Sequence, residues 1–181
     1  MHLLETYACV AGCKIDKCFI HEEPILLPEK NYITFHGFNP KGSTRQYDKW
    51  QIVIDNLINN INFKYHIIQI GCSSDKKYDN VDTSYLGKTN YNSLAFLIKN
   101  SSLHLGYDSF PIHLASYYDI KIVGLYSHFA NNTGPYFSNK NKIILFEPND
   151  KNKPIFNEDD PLNRINTIDP SSISEAVLKL I

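Results

Sequence analysis

Apolar residues recur along the chain in two alternating rhythms. Short runs with little polar interruption occur at Tyr32-Ile33-Thr34-Phe35, His66-Ile67-Ile68-Gln69-Ile70, Leu103-His104-Leu105, and over residues 120–125 and 142–146. Runs of that length, apolar at neighbouring positions, predict strands buried on both faces. Val81 marks a further short strand. Between the runs the spacing changes to three and four. Leu3, Leu4, Tyr7, Ala8 and Ala11 predict a helix over 2–12 that stops at Gly12. Trp50, Ile52, Val53, Ile54, Leu57 and Ile61 predict a second over 50–61. Asn90 caps a third running to about residue 99, and Pro111 sits in the first turn of a fourth that reaches Tyr118. Ser171 or Ser172 caps a closing helix that runs to Ile181. Residues 13–30, with Pro24 and Pro28, read as a linker or edge segment, and the polar, proline-bearing stretch 147–170 as a surface wrap.

Strands that alternate with helices and are apolar on both faces predict an α/β fold, a Rossmann-like parallel sheet with helices on both faces. In such sheets ligands bind beyond the carboxyl ends of the strands. That rule selects the loops at 36–49, 71–77, 106–113 and 126–136. The chain divides into an N-terminal helix and linker, 1–30, and a domain, 31–181.

Composition narrows the function classes. The formal net charge is −1, so there is no global basic field for nucleic acid. The apolar runs are strand-sized and predict no membrane span, and the first residues carry no basic-then-apolar leader. The expected location is the cytoplasm, where Cys9, Cys13, Cys18 and Cys72 stay as thiols. Cys9, Cys13 and Cys18, with His2 or His21, invite a zinc reading, but they lack the paired two-residue gap of common zinc sites. No metal and no cofactor is expected.

The first selected loop carries Gly37, Lys41, Gly42, Ser43, Thr44, Arg45 and Lys49 between a strand and a helix. Glycines allow close backbone approach, the hydroxyls donate, and the cations and a helix start favour a diphosphate. The Walker ending is missing, and a solvated basic loop is the alternative. The third loop sends Asp108 and Ser109 to the crevice and starts a helix that carries His113. Asp108 is suited to sugar hydroxyls, with helix capping and a satisfied buried histidine as the alternatives. Asp75, after the central strand, is placed for a ribose or is an ordinary loop residue. Gly124-Leu125-Tyr126-Ser127, followed by Gly134-Pro135-Tyr136, reads as a strand leading to a loop over a ligand, or to a structural loop.

The run Gly106-Tyr107-Asp108-Ser109-Phe110-Pro111-Ile112-His113-Leu114-Ala115, followed by Ile122-Val123-Gly124-Leu125-Tyr126-Ser127, resembles the signature of glycosyltransferase family nine, the ADP-heptose:lipopolysaccharide heptosyltransferases. Gly134-Pro135-Tyr136, Gly87 with Leu94 and Ala95, and His36-Gly37 with Lys49-Trp50 resemble further segments of that family, in order. The resemblance spans about residues 31–146. It implies the C-terminal lobe of a GT-B glycosyltransferase, binding a nucleotide-sugar without a metal. Carried over, Thr44 and Lys49 contact the diphosphate, supported by Gly37, Ser43 and Arg45. Asp75 contacts the ribose, and Asp108, Ser109 and His113 line the sugar and phosphate side. Phe110 stands where the family has a glycine, and Lys49 adjoins Trp50 where the family spaces the two more widely. The family's base belongs to the N-terminal lobe, which is expected to lie outside this chain.

Two functions follow from the resemblance. One is transfer of a sugar to a glycan or lipopolysaccharide-type acceptor, the missing lobe coming from a partner. The other is a non-catalytic nucleotide-sugar-binding or interaction module. A homodimer is compatible with both.

Overall fold

The computed structural model describes residues 1–37, 45–149 and 163–181. Six strands form one sheet: β1 (Tyr32–His36), β2 (His66–Gln69), β3 (Thr83–Ser84), β4 (Leu103–Tyr107), β5 (Lys121–Leu125) and β6 (Ile143–Phe146). Their order is β3-β2-β1-β4-β5-β6, and every pairing is parallel. The order reverses direction between β1 and β4, which creates the crevice expected of a Rossmann-like sheet. Six helices are described: α1 (Leu3–Ala11), α2 (Trp50–Ile58), α3 (Tyr91–Lys99), α4 (Phe110–Tyr117), α5 (Ala130–Thr133) and α6 (Pro170–Leu180).

Side chains on successive strand residues leave opposite faces of the sheet, and each face builds its own core. On one face Ile33 and Phe35 of β1, Leu103 and Leu105 of β4, and Val123 of β5 pack under α2 and α6. Trp50, Val53, Ile54 and Leu57 supply the α2 side, and Ile173 and Val177 the α6 side. On the other face Tyr32, Ile68 and Ile122 pack under α3 and α4 through Leu97, Ile98, Ile112 and Ala115. These two cores hold the strand ends in fixed register, with His36 opposite Gly106 across the β1–β4 junction.

Local signals set the helix ends. The His2 ring accepts from the Leu4 amide, and Glu5 returns the bond to the His2 amide, a capping box at the start of α1. Gly12 ends α1 in the left-handed conformation. Asn90 caps α3 by accepting from the amides of Asn92 and Ser93. The closing helix starts earlier than its serines suggest. Asp169 is the cap, accepting from the Ser172 amide, and Pro170 fills the first position. The strand expected near Val81 lies at Thr83–Ser84.

Residues 13–30 lie against the α3–α4 face. Ile20, Ile25 and Leu27 pack on that core, Glu22 pairs with Lys99 at 2.9 Å, and Lys17 donates to the Tyr117 carbonyl. Among the described residues no helix is long and apolar enough to cross a membrane, and no three His, Cys, Asp or Glu side chains are grouped to hold a metal ion. His2, weighed as a zinc ligand, caps α1 and bonds the Gly134 carbonyl at 2.9 Å.

Candidate functional site

Two cavities open beyond the carboxyl ends of the strands, on either side of the start of α4. The first, of about 620 Å³, has a polar base beneath a mainly apolar wall. His36, Gly71, Cys72, Ser73, Gly87, Thr89, Asn90 and Ser109 line it, with Tyr91, Leu94, Phe110 and Pro111 as its apolar members. The second, of about 530 Å³, is mainly apolar. Leu3, Leu4 and Tyr7 of α1 face Leu114, Tyr117, Tyr136 and Phe137 there, and Arg45, Asp108 and His113 complete the wall. Phe110 lines both. It is half exposed, and its ring meets Tyr91 edge to face.

The polar cavity rests on a network rooted in the strand ends. His36, the last residue of β1, places Nδ1 3.0 Å from Ser109 Oγ and Nε2 3.5 Å from Asp75 Oδ2. Asp75 Oδ2 also accepts from the Cys72 amide at 2.9 Å, which fixes the turn after β2. That turn needs Gly71, whose φ of +148° is reserved for glycine and whose missing Cβ makes room for the Asp75 carboxylate. Gly87, at φ +66°, is held as closely against Ser73. Ser109 is the N-cap residue of α4 but makes no side-chain cap. Its hydroxyl donates to the Tyr107 carbonyl at 3.1 Å instead. Pro111 carries no N–H and the Ile112 amide bonds the Ser109 carbonyl at 3.2 Å, so the start of α4 acts on whatever enters the cavity mainly through its dipole.

Asp108 carries the second cluster. Arg45 Nη1 donates to the Asp108 carbonyl at 3.0 Å and lies 3.7 Å from its carboxylate. His113 Nε2 lies 3.7 Å from the other carboxylate oxygen. The Arg45 guanidinium and the His113 ring approach different oxygens of one acid, all partly exposed.

Beneath the site, Thr34 Oγ1 and His104 Nδ1 meet at 3.0 Å inside the sheet core. Burial, with His36 nearby, pushes His104 down to about 3, so it stays neutral. Its Nε2 has no hydrogen-bond partner. A Cβ on Gly106 would press on that nitrogen and on the His36 carbonyl, both at 3.0 Å, so the strand passing the junction is glycine.

The residues singled out in the sequence are therefore distributed unevenly. Ser109 lines the polar cavity, and Asp75 supports its base without lining it. Asp108, His113 and Arg45 line the apolar one. His113 is exposed over 44% of its side chain, so it is not a buried core histidine. Gly37 accepts from the Tyr78 hydroxyl at 3.1 Å. Lys49 lines neither cavity. It stands at the N-cap of α2, and its charge adds to the Ser172 amide bond that holds the Asp169 carboxyl below its ordinary range. Ser43 and Thr44 lie outside the described residues.

Two contributors were not legible. His36 stood in a selected loop, but its partners Asp75 and Ser109 are distant in sequence. The segment after β3 reads in the sequence only as a family segment at Gly87 and a helix cap at Asn90; that it lines the cavity, with Thr89, is hidden because it follows a strand of two residues, too short to flag its loop.

Comparison with known proteins adds to this geometry. Residues 69–165 match the model of glycosyltransferase family 9 (heptosyltransferase). Among curated proteins no sequence matches. Among solved structures, the chain superposes on Escherichia coli ADP-heptose lipopolysaccharide heptosyltransferase II with a TM-score of 0.64 at 17% identity, covering 97% of this chain and 50% of that one. E. coli heptosyltransferase WaaC with ADP gives 0.64 at 13% identity, covering 86% and 46%. The dodecameric iron-containing heptosyltransferase TibC in complex with ADP-D-β-D-heptose gives 0.63 at 13% identity, covering 89% and 48%. The chain thus spans about half the length of these structures, and identities this low speak for the fold.

Proposed function

The chain belongs to glycosyltransferase family 9, and from that premise we propose that it binds a nucleoside-diphosphate sugar across the strand-end crevice. The observation that carries the reading is the polar cavity at the β1–β4 junction. It is large enough for a nucleotide and is lined by two glycine turns, hydroxyls and an uncapped helix start. Phosphate oxygens fit the N-terminus of α4 and the Ser73 and Ser109 side. The sugar then lies toward Asp108, whose carboxylate suits hydroxyl donors, with Arg45 balancing its charge and the His113 ring beside it. Ser43 and Thr44 belong to the same proposal through the family resemblance.

Transfer proceeds, on this reading, by displacement at the anomeric carbon. A general base takes the proton of the acceptor hydroxyl as its oxygen attacks, and the bond to the nucleoside diphosphate breaks. Arg45 and the dipole at the start of α4 stabilise the charge that develops on the leaving phosphate. The base comes from a second lobe, on this or a partner chain, and the acceptor is a glycan of the lipopolysaccharide type. No metal enters the scheme.

A thermal-shift panel of nucleoside diphosphates and their sugars tests the binding step, since a ligand of the native state raises its apparent stability. ADP and ADP-heptose come first, because they appear with the structural relatives. A rise with ADP-sugars and transfer only after a base-bearing lobe is added supports the enzyme. Binding without transfer in that mixture supports a binding module. No rise with any nucleotide removes the reading.

A further inference from the structure

His36 sits at the base of the polar cavity with its side chain 11% exposed, against an Asp75 side chain that is 3% exposed. Its ring packs on Tyr107 at 4.8 Å between centroids, which fixes its plane. The Ser109 hydroxyl has one hydrogen, and it lies on the Tyr107 carbonyl. While that hydrogen lies there, Ser109 Oγ accepts from His36, whose Nδ1 then carries a proton. In a neutral ring with its one proton on Nδ1, Nε2 presents a lone pair to Asp75 Oδ2, with no hydrogen between them. A second proton, on Nε2, turns that repulsion into an ion pair. It also answers a buried carboxylate whose other oxygen, Oδ1, has no hydrogen-bond partner. The neutral ring can instead place its proton on Nε2, toward Asp75, and accept from Ser109. That arrangement takes the Ser109 hydrogen away from the Tyr107 carbonyl. Gain or loss of a proton at His36 therefore rearranges the cavity base.

We propose that His36 is the proton-linked anchor of this cavity: as the imidazolium held between Asp75 and Ser109, it favours an anionic ligand, and affinity for a nucleoside diphosphate falls as His36 loses its proton. The proposal rests on the reading of the cavity as a nucleotide site. The groups that face His36 permit it. From β4 come Tyr107, whose phenol burial keeps protonated, and His104, which stays neutral. The loop after β2 contributes Asp75 and Cys72, and α4 contributes Ser109. Tyr78 reaches over to the Gly37 carbonyl. Around the start of α4, Arg45 and His113 each lie 3.7 Å from the Asp108 carboxylate. Within this set His36 is the histidine held between an acid and the cavity.

The test is ADP binding by calorimetry from about pH 6 to about pH 8, the range in which histidine changes charge, for the native chain and His36→Gln. ADP's own ionisation contributes equally to both profiles and cancels in their ratio. The expected result is a native affinity that falls about threefold to tenfold relative to the variant as pH rises, within the roughly hundredfold that one linked proton allows over two pH units. The His36 ring, followed by NMR in the native chain, is also expected to hold its proton to higher pH when ADP is added, which decides the matter even if the variant fails to fold. Parallel profiles, or a His36 titration that ADP leaves unmoved, would overturn the proposal while nucleotide binding stands. Absence of ADP binding at every pH would overturn the nucleotide reading beneath it.

Discussion

Phe110 and Tyr91 meet edge to face with ring centroids 5.5 Å apart and planes at 78°, and Phe110 lines both the polar and the apolar cavity. The pair makes the start of α4 a partition. Residue 109 looks into one compartment and residue 108 into the other.

Phe110→Gly should merge the two. The ring is half exposed, and a first-turn helix position tolerates glycine at a cost below about 1 kcal/mol. The expected outcome is a severalfold gain in affinity for a nucleotide-sugar over the bare nucleoside diphosphate, read by calorimetry with both ligands. Equal gains for both would show that Phe110 does not limit the sugar side.

Arg45 and Lys49 separate by position. Arg45 bonds Asp108 beside the crevice, whereas Lys49 stands at the start of α2 near Asp169. Arg45→Ala is expected to weaken nucleotide-sugar binding by about 1–3 kcal/mol, the range for a lost charged hydrogen bond. Asp108→Ala should act in the same range on sugar-bearing ligands and less on ADP. Lys49→Ala is the control with the smaller effect. A larger loss at Lys49 than at Arg45 would reverse the assignment of the phosphate-side cation.

Gly71→Ala should damage the polar cavity from below. Its φ of +148° disfavours any side chain, and the new Cβ would overlap the Asp75 carboxylate. We expect a loss of about 1–3 kcal/mol of stability, as for other strained backbone positions, together with weaker ADP binding, measured by urea unfolding and calorimetry. Unchanged stability would mean that the turn can rebuild around Asp75.

His104 predicts an acid sensitivity. Its folded value, about 3, lies below the ordinary histidine value, so between those limits the unfolded chain binds the extra proton. Stability from keeping His104 neutral is full above about pH 6.5 and is lost as pH falls toward the folded value. His104→Leu should lower the slope of unfolding free energy against pH in that window by about one proton. It also strands the Thr34 hydroxyl, so the slope, not the absolute stability, is the readout. An unaltered slope would mean that another group carries the proton.

Much of the architecture is written locally. The apolar runs at Tyr32, His66, Leu103 and residues 120–125 become β1, β2, β4 and β5 because a strand buried on both faces needs apolar residues at successive positions. Gly12 and Asn90 act where capping chemistry puts them. The resemblance carried by residues 106–115 extends to a family match over residues 69–165. Asp169 was missed as a cap because Pro170 and two serines offered competing starts, and packing of Ile173 and Val177 chose among them.

The site was less legible. By itself the sequence determined which loops lie at the carboxyl ends of the strands, since strand polarity follows from alternation with helices. It could not say which residues of those loops share a compartment, because neighbours at 108 and 109 face different cavities while residues 36, 75 and 109 meet. That was decided by the sheet order, which sets β1 beside β4, and by the two cores, which fix how far each strand end projects. Contact between distant residues is a property of that packing, and no local pattern encodes it.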